Sequence, residues 1–138
     1  MWVFYTGGMV SVVLARVGNG KSAKADPSRV MVRGRMKSHL QNLKDRFPAI
    51  LGGAEILESQ NSDYRWRMII PKTQWVGVAT SLAESLDYTN YKNAAHSVDN
   101  GGAFYKALGK VWGIMLGLQR STLDDRDMFD TVSTGEPE

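Results

Sequence analysis

The sequence predicts an α+β fold built on an antiparallel sheet of about four or five strands, with helices against one face. Three observations carry this. Apolar residues alternate at period two through residues 30–35 and 64–70, they recur at helical spacing through residues 36–47, 75–86 and 104–118, and the segments from residue 29 run strand, helix, strand, strand, helix.

A chain of 138 residues fits one domain and buries a core without staples. Trp2, Val3, Phe4 and Tyr5, then Gly7-Gly8, then residues 9–14 read as a hairpin of aromatic and β-branched residues. The same stretch fails as a secretory leader or membrane anchor. It lacks a basic leader, glycines interrupt it, and it falls short of the roughly 20 residues a spanning helix needs, so no membrane role and a cytoplasmic location are expected.

Residues 18–27 are turn formers without periodicity and predict a loop. In the next strand Val30 and Val32 share one face, and Met31, Arg33 and Arg35 the other. From Met36 the period becomes helical, with Leu40, Leu43 and Phe47 on the stripe and Pro48 closing the segment. Gly52-Gly53 precedes a short strand at 54–58, and residues 59–63 have hairpin composition. Tyr64, Trp66, Met68 and Ile70 then alternate with Arg65, Arg67 and Ile69. The aromatic face is expected to pack on helices while the arginine face stays open, and Pro71 ends the strand. A second helix buries Trp75, Ala79, Leu82, Ala83 and Leu86. Residues 87–92 form a connector, and a third helix near residues 102–120 buries Phe104, Leu108, Val111, Trp112, Met115 and Leu118.

This order is most of the split βαβ arrangement of ferredoxin-like domains, in which the first and third strands lie side by side. Those are the two arginine strands. The N-terminal hairpin takes the place of the usual fourth strand, and the C-terminal helix packs at an end or in a subunit contact. Residues 1–120 form the domain, and residues 121–138 an acidic, disordered tail.

The net charge of +3 conceals an asymmetry. Residues 1–120 carry 16 Lys+Arg against 8 Asp+Glu, whereas residues 121–138 carry Arg126 against six acidic residues. A basic body favours nucleic acid, nucleotide or acidic-protein partners. The absence of cysteine excludes disulfides, thiolate metal sites and cysteine nucleophiles.

If both arginine strands are extended, Arg33, Arg35, Arg65 and Arg67 share one sheet surface, and planar guanidinium forks suit phosphate or carboxylate. With the aromatics turned inward, the surface suits gripping phosphate better than stacking bases. The competing reading is solvated side chains partnered across strands by Glu55 or Glu58. Gly109, Gly113 and Gly117 recur every fourth residue in the third helix, flanked by Lys106 and Lys110. Each costs about 1 kcal/mol in helix propensity, which points to close approach by another helix, from a second subunit or the same one, or to a ligand held by the lysines.

Gly20-Lys21-Ser22 has the ending of a phosphate-binding P-loop, but Ala15 stands where its first glycine belongs and no apolar helix follows. His39 lies on the first helix, and His96 has Asp87 and Asp99 nearby in sequence. Spacing alone supplies no acid–base pair, and no hydrolase or metal signature is present.

Met1-Trp2, residues 63–67 (Asp-Tyr-Arg-Trp-Arg), residues 87–92 (Asp-Tyr-Thr-Asn-Tyr-Lys) and Val111-Trp112 together resemble a group of small uncharacterised bacterial and bacteriophage proteins. The resemblance covers most of residues 1–119 and implies a microbial or phage origin, without an activity. Tyr88 and Tyr91, three apart, can share a face, with Lys92 and Asn90 offering polar contacts.

The sequence therefore favours binding over catalysis and calls for no cofactor, metal or catalytic residue. The leading expectation is a phosphorylated ligand, nucleotide or nucleic acid, held by Arg33, Arg35, Arg65 and Arg67, with Lys106, Lys110, Tyr88, Tyr91 and Lys92 as further contacts. The alternatives are a homo-oligomeric module joined through Gly109, Gly113 and Gly117 that docks an acidic protein, and a small hydrolase using His96.

Overall fold

The computed structural model describes the backbone of residues 1–130 and the side chains of residues 1–123. Its strands are β1 (Trp2–Tyr5), β2 (Gly8–Val17), β3 (Lys24–Gly34), β4 (Leu57–Glu58) and β5 (Trp66–Pro71). Its helices are α1 (Lys37–Arg46), α2 (Pro48–Leu51), α3 (Lys72–Glu84), α4 (Tyr91–Ala95) and α5 (Ala103–Asp130). The strands form one antiparallel sheet in the order β1-β2-β3-β5-β4. The α+β class, the N-terminal hairpin and the C-terminal helix are as the sequence predicts. The two arginine-bearing segments are neighbours, and β2 flanks β3 on the other side. No strand follows α3 among the described residues, so the last strand of a ferredoxin-like motif has no counterpart there.

Alternation along the strands sends Val3 and Tyr5, Val10 and Val12, Val30 and Val32, and Trp66, Met68 and Ile70 to one face. They pack with Leu40 and Leu43 of α1, Leu51 of α2, and Trp75 and Val78 of α3. Fully buried side chains of this kind contribute about 1.5–3 kcal/mol each. The stripe of α3 runs through Trp75, Val78, Ala79 and Leu82, while Ala83 and Leu86 are exposed, which corrects the predicted burial of those two. Helix α3 ends at Glu84, so Leu86 lies past its last turn.

The expected loop at 18–27 is shorter than predicted, because its last four residues, 24–27, are strand. β2 extends to Val17 and β3 begins at Lys24, joined by a short 3-10 turn at Gly20–Ser22. Pro27 is accommodated because the register jumps between Leu14↔Val30 and Ala15↔Asp26, leaving a bulge where no ladder donor is needed. The Asp26 carboxylate stabilises the bulge by accepting from the Ser28 amide (2.9 Å) and hydroxyl (2.6 Å), which holds its pKa below the usual range.

A second, smaller cluster lies on the other face of the sheet. Phe104 and Leu108 of α5 and Ala95 of α4 pack on Phe4 and Met9, so helices cover part of both faces rather than one. Asp99 starts α5, its carboxylate accepting from the Gly102 (3.1 Å) and Phe104 (2.7 Å) amides. The helix then continues to Asp130, ten residues past its predicted end. Val111, Trp112, Met115 and Leu118, predicted to be buried, are 41, 60, 58 and 57% exposed. The reason is length: only the first two turns of α5 meet the domain, and the stripe runs on beyond it. Of the acidic tail, residues 131–138 lie outside the described residues.

Candidate functional site

On the sheet face turned away from α1 and α3, one row of side chains crosses all five strands. Trp2 pairs with Ser11, Ser11 with Arg33, Arg33 with Arg67, and Arg67 with Leu57. Directly opposed residues share a face with Cβ atoms about 4.5–5.5 Å apart. Two arginines thus stand side by side in the middle of the sheet.

Both are half-buried. Arg33 Nη2 donates to Ser11 Oγ (2.8 Å), and Arg67 Nη2 donates to the Tyr64 carbonyl (3.0 Å). The Nε atoms of both are buried with no hydrogen-bond partner among the described residues. Neither guanidinium meets a carboxylate: the salt bridge among the described residues joins Arg65 to Glu58. Like charges placed opposite each other destabilise a ladder by about 0.2–1 kcal/mol, and a buried unsatisfied donor costs about 1–3 kcal/mol. This arrangement leaves an unmet demand for a counter-anion, which a ligand would meet through the Nη atoms because the Nε atoms are buried out of its reach.

Tyr64 organises the cluster. Its ring is buried, and the guanidiniums of Arg33 and Arg35 lie 4.5 and 4.4 Å from its centroid. Arg35 Nη1 also donates to the Asp63 carbonyl (3.0 Å), while Asp63 Oδ1 accepts from the Tyr64 amide (2.9 Å) and makes no salt bridge to the arginines. Three guanidiniums therefore surround one tyrosine.

Two expectations change here. Because β5 begins at Trp66, Tyr64 precedes the strand, escapes its alternation and sits under the arginines rather than against the helices. Arg65 leaves the group: its Nε and Nη2 meet Glu58 Oε1 at 2.7 and 2.6 Å, the cross-strand pairing that the sequence offered as the alternative. The surface carries three grouped arginines, not four.

The other candidate residues lie apart from the cluster. Tyr91 acts as a clasp, donating to the Tyr5 carbonyl (3.0 Å) with its ring edge-on to Phe4, and burial pushes its hydroxyl pKa up. Tyr88 packs on Tyr91, and Lys92 Nζ lies 5.4 Å from the Trp112 ring centroid. Lys106 and Lys110 are exposed on α5. A Cβ added at Gly109, Gly113 or Gly117 would meet nothing within 4 Å, so these glycines do not serve packing within the described chain. His96 packs edge-on to Tyr105 (4.8 Å) and makes no hydrogen bond to Asp87 or Asp99. Among the described residues no cluster of three or more His, Asp or Glu has metal-binding geometry, and no helix is long and apolar enough to cross a membrane.

Next to the arginines, α5 and the sheet enclose an apolar groove of about 360 Å³. Trp2, Phe4 and Met9 line its sheet side, Phe104 and Leu108 its helix side, and Arg35 and Tyr64 complete the lining from beside α1 and β5. His39 also lines it. Its Nδ1 accepts from the Met9 amide (3.2 Å), its carbonyl accepts from the Tyr5 hydroxyl, and its ring lies edge-on to Phe104 (4.6 Å). Burial lowers the His39 pKa and keeps the ring neutral.

Comparison with protein-family models, curated proteins and solved structures finds no match to this chain. The site must be read from its own geometry.

Sequence reasoning overlooked Trp2, Ser11 and Tyr64. The first two were within reach, since Gly7-Gly8 fixes the hairpin register and alternation from Tyr5 and Val10 puts Trp2, Phe4, Met9 and Ser11 on the second face. Tyr64 required the start of β5, which local pattern does not specify.

Proposed function

We propose that this protein binds a phosphorylated ligand on the open sheet face through Arg33, Arg35 and Arg67, without catalysing a reaction on it. The observation that carries this is the cross-strand Arg33–Arg67 pair, half-buried and directly opposed, with no carboxylate between them among the described residues. A phosphoryl group offers several acceptor oxygens to guanidinium forks and relieves the like-charge repulsion at the same time. The basic body adds long-range attraction for such an anion. The resemblance to small phage and bacterial proteins gives the reading its setting: an accessory or counter-defence protein in the host cytoplasm that sequesters a nucleotide or covers nucleic acid.

Calorimetric titration with pyrophosphate at low salt tests the reading. Wild type should bind, and Arg33→Gln/Arg67→Gln should lose at least tenfold in affinity. Absence of heat with pyrophosphate, mononucleotides and single-stranded oligonucleotides alike would remove the proposal. A steep salt dependence for the oligonucleotide alone would favour a nucleic-acid backbone.

A second reading, self-association, has its own observation. Helix α5 presents Val111, Trp112, Met115 and Leu118 to solvent on one side and bare glycines at positions 109, 113 and 117 on the opposite side. A stripe that begins on the domain at Phe104 and Leu108 and continues uncovered is matched by the same stripe of a second copy, as an isologous contact requires. Docking of an acidic protein on the arginines is the other part of this reading.

A further inference from the structure

We propose that the groove between α5 and the sheet takes the base of a mononucleotide whose phosphate lies on the arginine cluster, making the ligand a nucleoside monophosphate rather than a nucleic-acid backbone. This inference rests on the phosphate reading above and adds to it a second half of the site.

The groove and the arginines are continuous. Arg35 and Tyr64 line the groove, and the ring of Tyr64 touches both Arg35 (4.4 Å) and Arg33 (4.5 Å). A ligand that is flat and apolar at one end and anionic at the other spans the two without crossing solvent. A volume of about 360 Å³ suits one small molecule and not a polymer. The walls are largely aromatic and apolar, with polar groups supplied by Arg35, His39 and Tyr64, the pattern of sites that orient a small ligand.

Aromatic walls favour a planar occupant over an alkyl chain. Trp2 and Phe4 on the sheet and Phe104 on the helix offer ring surface, and every nucleobase has a π-face to stack. Trp2 is 68% exposed although it sits in the row that leads to Arg33, so its ring is free to close over an occupant.

His39 supplies the polar recognition. Because Nδ1 accepts the Met9 amide proton, the neutral ring carries its hydrogen on Nε2. That Nε2–H makes no hydrogen bond to any described residue, so it remains free to donate to a ring nitrogen or carbonyl oxygen of a base. A backbone phosphodiester would engage the arginines and leave this donor and the groove unused.

Calorimetry on the full chain with AMP, CMP, ribose 5-phosphate and dodecyl phosphate tests the proposal, beside Trp2→Ala and Phe4→Ala variants checked for fold by circular dichroism. At least one mononucleotide should bind tenfold or more tighter than ribose 5-phosphate. Trp2→Ala should bring that affinity down towards the sugar phosphate level while leaving ribose 5-phosphate unchanged, and Phe4→Ala should do the same. Equal affinity for the mononucleotides and ribose 5-phosphate would overturn the base-binding groove and leave the arginine site standing. Preference for dodecyl phosphate would overturn it in favour of a lipid-like occupant. No binding of any phosphorylated probe would remove both readings.

Discussion

Arg33 and Arg67 face each other directly across the β3–β5 ladder, and nothing acidic lies between them among the described residues. A fold selected for stability alone has no use for this pair, because an apolar residue at either position would relieve both repulsion and an unsatisfied donor. Arg67→Met should therefore raise the free energy of unfolding by up to about 1 kcal/mol in low salt, with the gain shrinking as salt screens the pair. Urea denaturation of the two proteins measures this. The same variant should lose the stabilisation that pyrophosphate confers on wild type by binding the native state. Destabilisation by more than about 2 kcal/mol would mark Arg67 as a structural residue and remove the argument from unmet demand.

Close approach of the hairpin turn to α1 makes a second prediction. Gly8 has φ of +145°, and a Cβ there would lie 2.3 Å from His39 Cγ. Neither the backbone angle nor the contact admits a side chain. Gly8→Ala should cost roughly 2–4 kcal/mol in urea denaturation, and Gly8→Ala/His39→Ala should recover part of that by removing the ring while the backbone strain persists. Equal stability of Gly8→Ala and wild type would mean that the turn and α1 part easily enough to admit a methyl group.

His39 also sets a pH dependence. Burial depresses its pKa in the folded protein below the ordinary 6.5, partly offset by the charge of Asp99. Above pH 6.5 the ring is neutral in both folded and unfolded chains and contributes no slope. As pH falls below 6.5 the unfolded chain takes up the proton first, so stability declines until the folded pKa is reached, by at most about 1.4 kcal/mol per pH unit. Unfolding followed between pH 7.5 and 5 should show this loss, and His39→Gln should flatten it. An identical profile in the variant would assign the slope to other groups.

The residues explain how much of this was legible. Val30, Val32, Met68 and Ile70 declared their buried face because period two is strict in a strand, and the side-by-side placement of the arginine strands followed from the order of elements. Tyr64 and Arg65 were misplaced because β5 starts at Trp66, two residues later than its alternating pattern suggests, so neither side chain is bound by the strand's alternation. Pro27 read as loop because a proline argues against a ladder, and only the register jump opposite Leu14 and Ala15 shows how β3 absorbs it. Helix α5 shows the limit of periodicity, since an apolar stripe records that a surface is to be covered and not which molecule covers it. The groove at His39 depended on β1, β2, α1 and α5 meeting, a tertiary fact that no local pattern holds.

That uncovered stripe gives the last prediction. Met115 and Leu118 are more than half exposed and lie on the part of α5 beyond its packed turns, so charging them should leave the domain intact. Sedimentation of wild type at tens of micromolar should give a dimer, and Met115→Glu/Leu118→Glu should give a monomer whose circular dichroism matches wild type and whose thermal midpoint no longer depends on protein concentration. Gly113→Leu separates two ways of making the contact. If the glycines let the helix backbones approach, a leucine blocks the pairing and the mass falls to that of a monomer. A dimer retained by Gly113→Leu but lost in the glutamate variant would place the contact on the Val111–Met115–Leu118 stripe alone. A monomeric wild type would end the self-association reading and leave the arginine face as the functional surface.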